Sequence, residues 1–496
     1  MTEDTGRTEL KTRVNRGLAW TGVGSSMVGV LDLVTSFVLF SLWISTEQFG
    51  VAMLAVSLFP FLDLMTDLGL TAAVIQREDH TEERVSTIFW LNVLMSLVLA
   101  LFMVLGLGPL LSSLHEEPVL TGLMAAYAGK LVWQNVYFIP YALMRRQLRF
   151  KELAVLRILA NVAELAGKIG FAAAGFGVWC FVLGPLCRVL VTGVGIQILH
   201  PWRPRMVLRV RDALDWTAYG LKTSASKILF HLYSNADVQI VAHFFGDAAT
   251  GLYSIASRVV LQPAVVISEV VMSVAFPMFS RLMHQRQALV DQLVAFTRMN
   301  LVVMLAYVGV VLVSTDEIFG ILDRFSDGSD DWSRAAPAAR ILCLVAVLRA
   351  LSFIIPPLLD GINRPLMTLR YMVIASVVLP LLFLVSAVAL GPLLGFESVA
   401  VAWAVGYPIA FAALMYMVLD VLDLRGRDFA RRIGGVALCA APAMLASYAV
   451  HLAGAGLPAG LRFAASTAVM LVGFAALLAR YQKITVRSVA RSLRGS

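Results

Sequence analysis

The sequence predicts an all-α membrane protein of about fourteen transmembrane helices, two six-helix lobes plus two C-terminal helices around a central cavity. Three observations predict it. The 496 residues are 59% hydrophobic and only 15% charged, with mean hydropathy +0.80, far more apolar than any soluble core absorbs. Positive charge alternates along the chain with the period of the apolar runs. The two halves of the chain echo each other.

A run of about 20 apolar residues is long enough to cross a bilayer as a helix. Such runs fall near 17–44, 48–75, 86–112, 119–144, 153–175, 178–200, 214–244, 249–279, 292–321, 335–360, 366–390, 397–420, 431–453 and 460–479. The first is too long for a signal-peptide core and has no small-residue cleavage site, so it reads as an uncleaved span. Residues 1–16 and 481–496 read as flanking tails. Cys180, Cys187, Cys343 and Cys439 all sit inside apolar runs without metal-ligand spacing and read as small buried hydrophobes, so no metal is expected.

Counted over alternate connections, one set holds 28 Lys and Arg and the other 3. Positive charge is retained on the cytoplasmic side, which places both chain ends inside and makes the span number even. The net charge of +8 therefore reports topology, and no nucleic-acid partner is expected. The largest outer connection, about 315–334, is acidic (Asp316, Glu317, Asp323, Asp327, Asp330, Asp331) and reads as a solvated loop. No connection is large enough to hold an enzyme's active site, and no phosphate-binding Gly-rich loop occurs, so a transporter without catalytic residues or organic cofactor is expected. A proton or sodium gradient is the expected drive.

Phe49-Gly50-Val51-Ala52 in the second span and Thr250-Gly251-Leu252-Tyr253 in the eighth align 201 positions apart. The fourth span closes Phe138-Ile139-Pro140 and the tenth Phe353-Ile354-Ile355-Pro356. The repeat divides the chain into an N-lobe at 17–212, a C-lobe at 213–428 and two added spans at 429–480. Six spans per unit give both units the same direction, related by an axis along the membrane normal, as in parallel-repeat transporters.

Ionisable groups within spans are costly and mark function or internal pairing. Arg157, Asn161, Glu164 and Lys168 recur at helical spacing and lie within about 60° of arc, one polar stripe facing either a cavity or partner helices. Glu164 and Lys168, four apart, can pair. Arg340 and Arg349 fall on opposite helix faces, and Arg349 is the deeper. Lys227 is deeper than Lys222, and Arg258 sits near mid-membrane. The candidate cargo-binding cations are Arg258, Arg349, Lys227, Arg157, Lys168, Lys130 and Arg188. Their excess over carboxylates suits an anionic cargo, since Arg pairs bidentately with phosphate. The candidate ion-coupling carboxylates are Asp237, Glu164, Asp67, Asp63 and Glu269.

The stretch Asp67-Leu68-Gly69-Leu70-Thr71-Ala72-Ala73-Val74-Ile75-Gln76-Arg77, with Thr81-Glu82-Glu83 and Ser86-Thr87-Ile88-Phe89-Trp90-Leu91-Asn92 after it, resembles Wzx-type polysaccharide-unit flippases of the colanic and teichuronic acid branch. The resemblance continues in Asn235-Ala236-Asp237, Gly251 to Arg258 and Phe276-Pro277-Met278-Phe279-Ser280-Arg281, and covers roughly residues 10–420. It implies the multidrug/oligosaccharidyl-lipid/polysaccharide superfamily and two lobes around a cationic lumen. The implied function is alternating-access transfer of undecaprenyl-diphosphate-linked sugar units to the outer leaflet of the bacterial cytoplasmic membrane. A polysaccharide polymerase and a chain-length regulator are the implied partners of a monomeric carrier. By resemblance to the lipid II flippase, Arg258 takes a lumenal position; the matching first-lobe residue is Ser57, so Arg157, Lys168 and Lys130 are the expected basic partners.

Two rival readings differ in class. A cation-coupled drug exporter of the same superfamily would have twelve spans and a more acidic cavity. A membrane polymerase or ligase acting on lipid-linked sugars would need a sizeable outer loop.

Overall fold

The computed structural model describes residues 31–32, 35–40, 42–67, 74, 81–147, 149–325 and 331–483, and every regular element among them is helical. Most of the first expected span, and most of the Asp67 to Arg77 stretch, lie outside the described residues. Ten helical stretches among the described residues are long and apolar enough to cross a membrane. Val119–Arg146 and Phe150–Ala173 are as long as these but are diluted by the polar residues that form the site below. The stretch Ser224–Ser268 runs as one in this count, although the backbone breaks within it at Gly246. Backbone proximity divides the chain into two compact units, Met1–Gly251 and Leu252–Ser496, a division later in the chain than the 212/213 boundary read from the repeat.

The first unit contains α1 (Thr46–Val56), α2 (Phe59–Asp67), α3 (Glu82–Phe102), α4 (Gly108–His115), α5 (Val119–Arg146), α6 (Phe150–Ala173), α7 (Cys180–Leu199) and the first part of α8 (Val210–Arg281). Local chemistry sets their ends. Ser45 caps α1 through a capping box: its hydroxyl accepts from Gln48 N at 3.2 Å and the Gln48 side chain accepts from Ser45 N at 3.4 Å. The second span is broken between α1 and α2 because Pro60 has no N–H to continue the ladder. Pro109 acts likewise, and the chain answers with a π-helical turn, Met103–Leu107, before α4. Thr81 caps α3, whose first turn carries Glu82 and Glu83 where the helix dipole favours negative charge.

The interior of this unit is close-packed around Leu54, Leu120, Leu123, Met124, Tyr127 and Leu131, each no more than 1% exposed. Phe59 stacks on Tyr127 with ring centroids 3.4 Å apart. The outward faces of the same helices are apolar as well: Leu94, Leu97, Val98, Leu101 and Leu105 are all exposed. A large exposed apolar surface on helices of spanning length is what a bilayer covers.

Between α7 and α8 the chain is irregular, with tight turns at His200–Trp202 and Arg205–Val207, and is strapped onto α3. Arg205 N donates to Ser86 Oγ at 3.0 Å, Trp90 Nε1 to Arg205 O at 2.9 Å, and Arg209 N to Thr87 Oγ1 at 3.2 Å. Arg205 pairs with Glu82, Arg209 with Glu83 at 2.8 Å, and the Trp202 ring packs edge-on to Phe89. These α3 residues belong to the Thr81 to Asn92 segment singled out in the sequence, and the clamp is their visible structural role.

The second unit contains the end of α8 together with α9 (Arg286–Val313), α10 (Thr315–Phe325), α11 (Ala336–Ser352), α12 (Ile355–Gly361), α13 (Pro365–Ala389), α14 (Glu397–Val421), α15 (Gly426–Ala453) and α16 (Ala459–Leu477). The final pair packs on α9 through Leu301, Leu305, Val436, Cys439, Met470 and Phe474. Ser447 Oγ donates to Ser466 O at 2.8 Å, and the Ser314 and Ser466 hydroxyls lie 3.2 Å apart.

The expectation of a solvated acidic loop at 315–334 is corrected here. Its first part is α10, because Phe319 and Leu322 fall on one helix face and are 0% exposed. Glu317, far from solvated, is buried against Arg462 and 3.4 Å from His451. Asp323 accepts from Trp332 N at 2.6 Å and Ser333 N at 3.1 Å, tying α10 to the residues that lead into α11. Burial pushes its carboxyl above the ordinary range despite those donors. Arg340, read as lying near a span end, pairs with Asp316 at 2.6 Å on the half-exposed rim.

Candidate functional site: a balanced ionic cluster inside the first unit

Close approach of α6 and α7 creates the site. Gly167 and Gly184 face each other, and a methyl group on Gly184 would fall 2.4 Å from Lys168 Cγ. Glycine there lets the Lys168 stem pass between the helices. An alanine at Gly184 is expected to destabilise the protein by about 1–3 kcal/mol through overpacking. A thermal-unfolding midpoint in detergent equal to wild type would contradict it.

Lys168 Nζ lies 2.9 Å from Glu164 Oε1, one turn away on α6, and 2.9 Å from Asp32 Oδ1. The other Glu164 oxygen lies 3.2 Å from Arg188 on α7. On α5, Lys130 Nζ is 3.1 Å from Asp63 Oδ2 and donates to the Tyr127 hydroxyl at 3.0 Å. That hydroxyl donates in turn to Phe59 O at 3.3 Å. Arg188 is close enough to Lys130 and Tyr127 to act on both electrostatically, so the two groups form one cluster.

Three of the expected cations, Lys130, Lys168 and Arg188, thus meet three carboxylates, Asp32, Asp63 and Glu164. The expected excess of positive charge does not hold in this cluster, which is balanced. Desolvation is the reason: an ammonium or guanidinium among apolar helices is retained at low cost only beside an opposite charge. Exposure grades across the cluster. The Lys130, Lys168 and Glu164 side chains are 4%, 8% and 10% exposed, against 37% for Asp32 and 43% for Arg188. Arg188 and Asp32 are therefore its open edge.

The polar stripe on α6 is partly buried. Asn161 turns back to donate to Arg157 O at 2.6 Å, and Asn161, Glu164 and Lys168 are buried, whereas Arg157 is exposed. Lys227 on α8 is exposed too. Asp237 is buried, its carboxylate accepting from Val238 N at 2.8 Å. Ser57, the repeat mate of Arg258, accepts from Gln239 Nε2 at 2.7 Å. The Asp67 and Glu269 side chains lie outside the described residues.

In the second unit Arg349 is 6% exposed, its guanidinium 5.2 Å from the Trp403 ring centroid and beside the fully buried Tyr407. A guanidinium over an indole face is a cation–π pair. Arg258, on α8, is partly exposed. Sequence reading missed Tyr127 and Gln239 as site-shaping groups. The i, i+3 spacing of Tyr127 and Lys130 was the available signal for the first.

The fold is that of a polytopic transporter. It superposes on the lipid II flippase MurJ in an inward closed conformation with TM-score 0.73 at 14% identity, covering 93% of this chain and 98% of that one. It also matches an inward-facing multidrug resistance transporter of the MATE family and MOP superfamily, with TM-score 0.63 at 16% identity, covering 81% and 99%. A family model described as "Polysaccharide biosynthesis protein" matches residues 42–322, more than half of the chain, and the chain belongs to that family. Among its relatives, the teichuronic acid biosynthesis protein TuaB of Bacillus subtilis (strain 168) is 24% identical over 68% of this chain and 69% of its own. The lipopolysaccharide biosynthesis protein WzxC of Escherichia coli (strain K12) is 22% identical over 69% and 68%.

Proposed function

We propose that this protein is a flippase for lipid-linked polysaccharide repeat units in the bacterial cytoplasmic membrane. The observation that carries the reading is the cluster of Lys130, Lys168 and Arg188 with Asp32, Asp63 and Glu164, held among helices of a flippase fold. Family membership and the relatives TuaB and WzxC support a role in polysaccharide biosynthesis, and the fold likeness to the lipid II flippase MurJ supports a lipid-linked cargo. In this reading the cargo is an undecaprenyl-diphosphate-linked oligosaccharide. It moves from inner to outer leaflet by alternating access, and both chain ends of a fourteen-span monomer face the cytoplasm. A polymerase and a chain-length regulator would act on the product.

The balanced cluster suggests how an ion drives the cycle. An entering diphosphate meets the open edge first and competes with Glu164 for Arg188, since phosphate accepts the same bidentate pairing. A carboxylate displaced from its cation then holds its charge in a poorly solvated place and takes up a proton. Cargo binding and proton binding are thereby linked, with Glu164 and Asp63 as the exchange groups; sodium would serve the same carboxylates.

Arg258→Ala is expected to lower surface polysaccharide at least tenfold while the protein inserts at its normal level. Wild-type polysaccharide output from that variant would remove Arg258 from the site. The fold likeness to the MATE transporter favours drug export as the second reading. Gene deletion that alters drug susceptibility and leaves polysaccharide intact would establish it instead.

A further inference from the structure

The final helix pair, α15 and α16, meets the rest of the second unit through two kinds of contact. At mid-length it is apolar, with Val436, Met470 and Phe474 packed in one cluster with Leu301 and Leu305 of α9. Toward the ends joined by the 454–458 connection it turns polar. Ser447 Oγ donates to Ser466 O at 2.8 Å, and His451 lies one helical turn beyond Ser447, in the last turn of α15.

His451 sits in an ionic group. Glu317 of α10 brings Oε1 to 3.4 Å from His451 Nδ1, and Arg462 of α16 pairs with the same oxygen. The Tyr448 ring, three positions back on α15, lies parallel to the imidazole at 8° with centroids 6.2 Å apart. The Glu317 side chain is 0% exposed and that of His451 12%.

Both partners of the 3.4 Å contact are buried without a hydrogen bond. Glu317 Oε2 has no donor, Oε1 has only the ion pair with Arg462, and His451 Nδ1 has no partner. Buried polar atoms left in this condition are costly. A neutral imidazole carries one N–H and an imidazolium carries two. With its single proton on Nε2, a neutral His451 meets Glu317 lone pair to lone pair. A proton added at Nδ1 turns that contact into a charge-assisted hydrogen bond, the stronger kind.

Histidine is the side chain whose charge ordinarily changes between about pH 5 and 8. α10 faces His451 with Glu317, α16 with Arg462 and α15 itself with Tyr448. Residues 308–313 at the end of α9 carry no ionisable side chain, and Glu397 opens α14 on the same side. Asp316, next to Glu317, is held by Arg340 at 2.6 Å.

We infer that His451 is an acid-operated latch on the final helix pair: protonated at Nδ1 it donates to Glu317 and fastens α15 to α10, and deprotonated it leaves Arg462 as the ionic tie. The fastening is present at low pH and is lost as pH rises through the titration of the imidazole. On the proposed topology these helix ends face outward, so the pH outside sets how firmly the pair is held. The latch does not depend on the cargo, and its test does not use transport.

The test uses the purified full-length protein in detergent, with the four native cysteines replaced and Ser447→Cys as the reporter. Ser447 is 1% exposed, so a maleimide reaches that position only when the pair loosens. Each rate is compared with that of the His451→Asn variant at the same pH, which cancels the change in thiolate fraction. At about pH 5.5 the protein with His451 should label about tenfold more slowly than His451→Asn, and at about pH 8 the two should label alike. Glu317→Gln keeps the size of the side chain, removes its charge and should abolish the difference. A ratio that does not change with pH overturns the latch, as does a full pH effect in Glu317→Gln. The protein with all its native cysteines gives a second readout without the reporter. Its unfolding midpoint should exceed that of His451→Asn at the lower pH alone, and an equal excess at both pH values also overturns the latch.

Discussion

Glu164→Ala is expected to destabilise the protein by about 3–5 kcal/mol, the cost of breaking a buried ion pair from one side. The carboxylate bridges Lys168 and Arg188, and its loss leaves Lys168 with Asp32 alone and takes from Arg188 the carboxylate it meets. The full effect should appear as a lower unfolding midpoint in detergent and reduced membrane abundance. Glu164→Gln keeps volume and should recover part of the midpoint, because an amide oxygen still accepts from one cation. Removing Glu164 and Lys168 together should cost less than the sum of the single losses, the signature of direct coupling. A wild-type midpoint for Glu164→Ala would show that the cluster is solvated and that its pairing contributes nothing.

Glu317→Ala is expected to be of similar size, about 3–5 kcal/mol, for the same physical reason in a different place. The Glu317 side chain is 0% exposed and meets Arg462 of α16 and His451 of α15. It is the ionic tie between α10 and the final helix pair. Its removal should loosen that pair while the apolar contacts at Leu301, Met470 and Phe474 persist. The measurement is limited proteolysis at the short 454–458 connection between α15 and α16, expected to be cut faster in the variant. Unchanged cleavage together with an unchanged unfolding midpoint would mean that the apolar contacts suffice.

The helical class and most helix positions were legible in the sequence because apolar length and charge alternation respond to the bilayer, a solvent with simple rules. What could be read of the site followed from helical periodicity: Glu164 and Lys168 one turn apart do pair. What could not be read was pairing across helices. Nothing local in the sequence says that Lys130 meets Asp63 or that Lys168 reaches Asp32, since these partners lie far apart along the chain. The balance of charge in this cluster follows from it, as Lys130 and Lys168 each meet an acid distant in the chain. The acidic segment at 315–334 misled similarly. Its charge suggested solvent, while the spacing of Phe319 and Leu322 already marked an amphipathic helix.

The strap between α7 and α8 gives the chain a mechanical property. A slack connector would let the start of α8 swing independently of its neighbours, but residues 202–209 are pinned to the first turns of α3 by both backbone and side chains. The connector is a leash of fixed length. Any displacement of the α8 start must pull on α3 or tear Ser86, Thr87 and Trp90 from their partners. Tension, rather than a packed interface, would then carry motion from one helix to the other, and Thr87→Val would remove two of the ties without touching the ionic cluster.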